Sequence, residues 1–475
     1  MAQTVDRFHV GKVVLLAAIA ALGGFLFGFD TAVINGAVDA LADDFALGAV
    51  LKGFTVSSAL LGCMAGAYLA GRLADALGRV KVMIIASVLF TASAIGSGLA
   101  FGTWDMIFWR VVGGLGVGAA SVIAPAYIAE ISPASVRGRL GSLQQLAIVT
   151  GIFVALLSDY AIAAMAGGSA SNPLWFGMDA WRWMFIAEAI PAITYGVLAM
   201  TVPESPRYLM HLGKENEARK VLSRILIDGI EKRISEIKRT IATSRKIPFS
   251  EIMTPSRKNL LPIVWVGVAL SVFQQFVGIN VIFYYSTTLW RSVGWGEEQA
   301  LMITVLTSVT NILVTLVAIA LIDKIGRKAL LLIGSAGMTV SLGVLAAIFS
   351  TAPLVQAADG TMMPDLSNSA GGTVALISAN LFVVFFGMSW GPVVWVLLGE
   401  MFSNKIRALA LGLAAAAQWL ANFIISTTFP SMAQVGLWFA YGFYTLCALL
   451  SLLFVWRFVR ETKGVELEDM EQVTS

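Results

Sequence analysis

Apolar residues gather along this chain in long runs separated by short polar stretches. A helix needs about 20 apolar residues to cross a bilayer. Runs of that length fall near 13–37, 53–73, 82–101, 105–129, 139–160 and 181–201. A polar segment, 203–258, follows, and six more runs fall near 259–290, 298–322, 329–350, 374–400, 407–428 and 434–458. The pattern predicts twelve spanning helices, six on each side of a linker. The first run is too long for a signal-peptide core and lacks a cleavage-like end, so it is read as a retained helix. Within the linker, Val221, Leu222 and Ile225 share one helical face and Ile234 and Ile237 another. That spacing predicts short amphipathic helices capping one face of the membrane domain.

The seventh run departs from the pattern. Its middle reads Phe273-Gln-Gln-Phe-Val-Gly-Ile-Asn-Val-Ile-Phe-Tyr-Tyr-Ser286, with Gln274, Gln275 and Asn280 around Gly278. An amide facing lipid has no water to bond, so these side chains are expected to face protein or a wet cavity. Gly278 permits the helix to bend or open there. Three amides beside a glycine favour a central binding site on a discontinuous helix over simple interhelical glue.

Composition supports a polytopic membrane protein. Of 475 residues, 58% are hydrophobic and 13% charged, against about 25% charged in soluble domains. Cys63 and Cys447 both lie in apolar runs and read as buried small hydrophobes. His9 and His211 are the only histidines, which excludes a His-rich metal site. No phosphate loop, nucleophile–base set or metal cluster appears. The chain is therefore read as neither an enzyme nor an ATP-driven pump, with no cofactor and no nucleic-acid partner. The formal net charge is only +3, but its distribution is uneven. Basic residues crowd the loops near 72–81, 137–139, 324–328 and 405–407 and the linker. Asp39, Asp43, Asp44, Asp105, Asp159, Asp359 and Asp365 mark the opposite side. The positive-inside rule then puts both termini and the linker in the cytoplasm of a multi-pass plasma (inner) membrane protein.

Three charged motifs occur twice. Asp75-Ala-Leu-Gly-Arg79 recurs as Asp323-Lys-Ile-Gly-Arg327. Glu130 with Arg137 recurs as Glu400 with Arg407, and Glu204 recurs as Glu461. The offsets are 248, 270 and 257 residues. Nearly constant offsets indicate duplication of a six-helix half. The division expected is 1–202, a linker 203–258, 259–460 and a tail 461–475. All three motifs fall on the predicted cytoplasmic side, where acid–base pairs between the two halves could close one mouth of a cavity. Inside the spans, Asp30 and Arg110 are the obvious charged pair of the first half, since an ionised group at depth is costly without a partner. Such a pair can bind and release a proton, or simply fix helix register.

These residues resemble the sugar-porter branch of the major facilitator superfamily. The resemblance rests on Gly71-Arg-Leu-Ala-Asp-Ala-Leu-Gly-Arg79, Pro125-Ala-Tyr-Ile-Ala-Glu130 with Arg137-Gly-Arg139, and Pro203-Glu-Ser-Pro-Arg207. It continues in Gln274-Gln-Phe-Val-Gly-Ile-Asn280, Asp323-Lys-Ile-Gly-Arg327, Trp390-Gly-Pro-Val-Val-Trp395 and Glu461-Thr-Lys-Gly464. It implies an all-α membrane protein of twelve helices in two pseudo-symmetric six-helix bundles, with a sugar bound between them and a cytoplasmic helical segment joining them. Matching positions imply that Gln145, Gln274, Gln275, Asn280, Trp395 and Gln418 contact the sugar, with Phe27 and Tyr284 completing the wall. Amides can meet a pyranose's hydroxyls as donor and acceptor together, and an aromatic ring suits its C–H face. Arg460 stands where the family usually has proline, and Ile319 where the second-half motif often has glycine. Ile152, about two turns beyond Gln145, matches the isoleucine of glucose facilitators, not the glutamine of xylose symporters, and hints at a hexose.

The leading expectation is alternating-access transport of a monosaccharide, D-glucose first and D-xylose next, by a functional monomer. Asp30 favours coupling to a proton, because animal facilitators of the family have asparagine there. The alternative is an uncoupled facilitator of the same sugars. A transport-dead sugar receptor is a third reading, disfavoured by the short tail after Glu461.

Overall fold

The computed structural model describes residues 7–133, 136–243, 248–254, 259–356, 362–367, 369–402 and 406–462. Within them the chain is almost entirely helical. Eleven segments are long and apolar enough to cross a membrane. The sixth predicted span is also present, as Ala180–Ala187 and Ala189–Ala199, but a turn at Glu188 leaves each piece too short to cross alone. Pro191, one turn on, has no N–H for the carbonyl of Ala187, which loosens the helix there.

Three more spans are interrupted. The first is Val10–Ala32 and Ile34–Asp44, the seventh Pro262–Phe276 and Ile279–Arg291, and the tenth Ala370–Gly387 and Trp390–Met401. The unbroken spans run further than their apolar runs, as in Ala49–Leu77 and Arg407–Val435. Asp159, assigned from sequence to the outer loops, lies instead inside the helix Arg137–Met165. It is fully buried, and its carboxylate accepts the Gly36 N–H at 3.3 Å. Among the described residues the strands are a three-residue antiparallel pair, Leu354–Gln356 with Met362–Pro364, in the long polar loop ahead of the tenth span. Asp359 lies outside the described residues.

The chain forms two compact units that cut across the sequence halves. One comprises Met1–Thr31, Leu61–Ala155 and Arg182–Lys246; the other comprises Ala32–Leu60, Leu156–Trp181 and Ile247–Ser475. The linker helices Pro206–His211, Glu215–Ile225 and Ile230–Thr243 belong to the first unit. Their apolar faces are buried as the spacing predicts, with Val221, Leu222, Ile225, Ile234 and Ile237 all inside. Arg219 bonds Glu231 at 2.8 Å and Lys238 bonds Glu215 at 2.6 Å. The latter contact holds the Glu215 carboxyl below its usual range. The start of the chain is tied to the same segment, with the His9 N–H donating to the Ile225 carbonyl at 2.9 Å.

The duplicated motifs build the same corner twice. In the first unit, the Glu204 carboxylate accepts the N–H groups of Arg79 and Val80 at 3.0 and 3.2 Å. These open the helix Arg79–Gly98. In the second unit, Glu461 accepts those of Arg327 and Lys328 at 2.9 and 3.0 Å, which open Arg327–Ser350. The first N–H groups of a helix have no intrahelical partner and carry partial positive charge, so a carboxylate is well placed there. Gly78 and Gly326 precede these starts at φ of +95° and +101°. A Cβ would stand 2.3 Å from the Glu204 oxygen in one and 2.7 Å from the Glu461 oxygen in the other. Gly78→Ala and Gly326→Ala should therefore each lower the thermal unfolding midpoint, since the left-handed backbone alone costs about 1–2 kcal/mol for a side chain. Unchanged midpoints in both variants would remove the carboxylate corner from the list of structural determinants.

Candidate functional site

The arginines of the two corners are held by a second carboxylate each. Arg79 grips Glu130 through Nε and Nη2 at 3.0 and 2.9 Å, and Arg327 grips Glu400 at 3.1 and 2.7 Å. Such paired contacts fix both position and plane. Ser205 donates to Glu130, and Thr462 donates to Glu400 at 2.6 Å. These ion pairs run within a unit, whereas the sequence pattern was read as pairing between halves. Glu130 and Glu400 sit on the helix ends that face the corner arginines. Asp75 reaches Arg79 only at 3.5 Å and is largely exposed. Arg407 donates to the Phe402 carbonyl at 2.9 Å. The side chains of Arg137 and Asp323 lie outside the described parts.

In the first unit, Arg110 Nη1 meets Asp30 at 3.4 Å on the carboxylate and 3.1 Å on the carbonyl. The expected pair is thus formed, and both residues are at most 2% exposed. A third ionisable group, which the sequence reading missed, completes it. Glu188 is 1% exposed and is buried in the same unit near this pair; no hydrogen bond reaches its Oε1 or Asp30 Oδ2 among the described residues. A lone acid in the sixth apolar run, Ile-Ala-Glu-Ala-Ile, was the available signal. The break in that span falls on this residue. The guanidinium also lies over the Phe185 ring, 5.9 Å from its centroid. Phe27 and Gln145 belong to this unit and are half-buried.

The second unit holds the remaining predicted sugar contacts. Gly278 adopts φ +88° and separates the two pieces of the seventh span. Asn280 Nδ2 donates to Gln275 Oε1 at 2.5 Å across this break. Gln274 is buried, and its Nε2 donates to the carbonyls of Trp390 and Gly391 at 2.8 and 3.2 Å. One break therefore holds the other: the tenth span restarts at Trp390, and Pro392 sits in its first turn, where a missing N–H is tolerated. Trp390 is itself buried, and its indole N–H donates to Ser335 at 2.9 Å. Trp395, two turns into the same piece, is 42% exposed. Tyr284 is buried, and its hydroxyl accepts from Asn422 at 3.4 Å. Asn422, one turn beyond Gln418, was not singled out from sequence; a buried amide in the eleventh run was the signal. Gln418 is half-buried, with an oxygen that meets no protein donor.

The second piece of the seventh span, Ile279–Arg291, carries further polar contacts within this unit. Asn35 donates to the Phe283 carbonyl at 2.8 Å and accepts the Thr287 N–H at 3.0 Å. Asp39 takes Lys52 at 2.6 Å, Thr288 at 2.7 Å and Arg291 at 3.1 Å. Read from sequence as a loop acid, Asp39 is instead a helical residue with two cationic partners.

Broken spans that carry clustered amides, together with a buried acid–base group, define a membrane carrier for a small polar solute. Residues 16–474 match the model of the sugar (and other) transporter family, and the chain belongs to that family. It is 60% identical over 463 residues to a glucose transport protein of Synechocystis sp., covering 97% of each chain. To the D-xylose-proton symporter of Escherichia coli it is 38% identical, covering 98% of this chain and 96% of the relative. The solved structure of the E. coli xylose transporter XylE in an inward-open conformation superposes with a TM-score of 0.81 at 38% identity. That match covers 98% of this chain and 99% of the other. The sugar-porter resemblance read from the seven motifs holds.

The Gln274 clamp generates a prediction. Gln274→Glu removes both donors and sets a carboxylate against two carbonyls. These two carbonyls open a helix and also accept within it, so the loss is of one added hydrogen bond each, about 0.5–1.5 kcal/mol, and the variant should unfold at a lower temperature in detergent. Gln274→Asn, which keeps the amide on a shorter arm, should lose less. Equal midpoints for wild type and Gln274→Glu would show that the clamp does not support the break.

Proposed function

We propose that this protein carries a neutral monosaccharide, D-glucose in preference to D-xylose, across the inner membrane by alternating access, coupled to a proton. The observation that carries the sugar reading is the break at Gly278, with Gln274, Gln275 and Asn280 gathered around it. Amides donate and accept at once, as a ring of hydroxyls requires. Gln145, Gln418 and Tyr284 extend that set, Asn422 joins it, and Trp395 and Phe27 supply aromatic faces. The 60%-identical relative named for glucose and the isoleucine at 152 support the hexose over the pentose.

For coupling, the proton is assigned to Asp30, Arg110 and Glu188. Two carboxyls and one guanidinium share a buried site, so with every group ionised the site carries an uncompensated charge. That is costly in a medium of low dielectric. A single proton shared by the carboxyls makes the cluster neutral, and its release restores the charge. Relatives named as proton symporters support this reading. The charge clusters around Arg79 and Arg327, with Arg137 and Arg407, are assigned to biasing the carrier between its conformations from the cytoplasmic side.

The test is uptake into proteoliposomes with and without an imposed pH gradient. Wild-type protein should accumulate glucose and acidify the lumen as sugar enters. Asp30→Asn mimics the protonated acid and should lose accumulation and acidification. It should retain sugar binding and part of counterflow, because the amide set is untouched. Wild-type uptake indifferent to the gradient and to protonophore would leave an uncoupled facilitator. Competition by amino acids or organic acids, but by no monosaccharide, would overturn the sugar assignment itself.

A further inference from the structure

Two shallow apolar grooves of about 400 Å³ run along the spans, one in each unit. The groove in the first unit, along Ile84, Val88, Ile193, Val197 and Met200, is lined by no charged residue. The groove in the second differs. Phe273, Leu450, Leu453, Phe454 and Phe458 line it, and Arg457 stands in the lining as well. The Arg457 guanidinium lies over the Phe458 ring, 5.4 Å from its centroid. This is the last turn of the helix Leu437–Phe458. A second cation reaches the same end, with Lys328 Nζ donating to the Trp456 carbonyl at 3.1 Å.

These two cations differ from other basic residues of the chain. Arg79, Arg327, Arg219 and Lys238 each meet a carboxylate. Arg457 and Lys328 meet none among the described residues. The end of an apolar groove therefore carries two cationic side chains whose charged groups meet no carboxylate among the described residues. An apolar tail beneath an anionic head matches both parts. A zwitterionic lipid brings its own ammonium to the same place and gains less. We propose that this groove is a binding site for an anionic phospholipid of the linker-side leaflet, with an acyl chain along Phe273 and Phe454 and the phosphate on Arg457 and Lys328.

The experiment is native mass spectrometry of the delipidated full-length carrier in detergent. Palmitoyl-oleoyl phosphatidylglycerol and phosphatidylcholine are offered in equal amounts. Wild-type protein should retain phosphatidylglycerol in preference. Arg457→Gln should cut that retention by about fivefold, the effect of about one basic contact at a membrane surface, and leave phosphatidylcholine unchanged. Arg457→Lys should restore most of it. Leu453→Trp, which fills the groove, should reduce both lipids. Equal retention of the two lipids by wild type, or undiminished phosphatidylglycerol on Arg457→Gln, overturns the proposal. Should Arg457→Gln fail to fold, Lys328→Gln is read by the same criteria.

Discussion

The architecture depends on carboxylates that accept the first N–H groups of a helix. Glu204 and Glu461 each reach across more than a hundred residues of chain to terminate a span. Each is fixed from behind by a short segment that follows the last helix of its six. The arginine that opens the capped helix then turns its side chain onto a second carboxylate, Glu130 or Glu400. One corner thus joins three parts of a half: the start of its third span, the end of its fourth and the segment after its sixth. Such links are worth little on a wet surface. They matter here because the side chains of Arg79, Glu130 and Arg327 are mostly shielded and the geometry is two-pronged.

Against that frame, several of the spans that bear the buried polar groups described above are interrupted. A continuous helix satisfies its own backbone, so its polar groups are spent on itself. Breaking it frees carbonyls and N–H groups that must find partners nearby, and the partners fix side chains in place. Gln274 ties the seventh span to the restart of the tenth. The sixth breaks at Glu188, beside the Asp30–Arg110 pair. The same loss of regularity that exposes a binding group also positions it.

Much of this was legible in the sequence. Apolar runs locate the spans because lipid leaves the backbone few other options, and the duplicated motifs locate the corners because their spacing survives in both halves. Gly278 marks its break, and the linker's apolar positions mark its buried faces. What was illegible depends on partners distant in the chain. The pairing of Glu130 with Arg79, and of Glu400 with Arg327, is set by which helix ends meet. Asp39 and Asp159 look like loop acids because a helix that outruns its apolar stretch keeps polar residues on a buried face. Glu188 escaped notice because a single acid in an apolar run has no meaning until its neighbours are known.

The Gln274 clamp has a consequence for molecular recognition. Both carbonyls it meets can only accept, so its amide cannot flip, and its nitrogen is already committed. Whatever approaches this side chain finds an oxygen alone. On the proposed reading of Gln274 as a sugar contact, it would take a hydroxyl hydrogen and offer none in return. A fluorine or a methyl ether at the facing carbon would present lone pairs to a lone pair. On that proposed reading, locking one amide against a neighbouring helix also gives the recognition surface a direction, sorting otherwise isosteric molecules by which of them can donate.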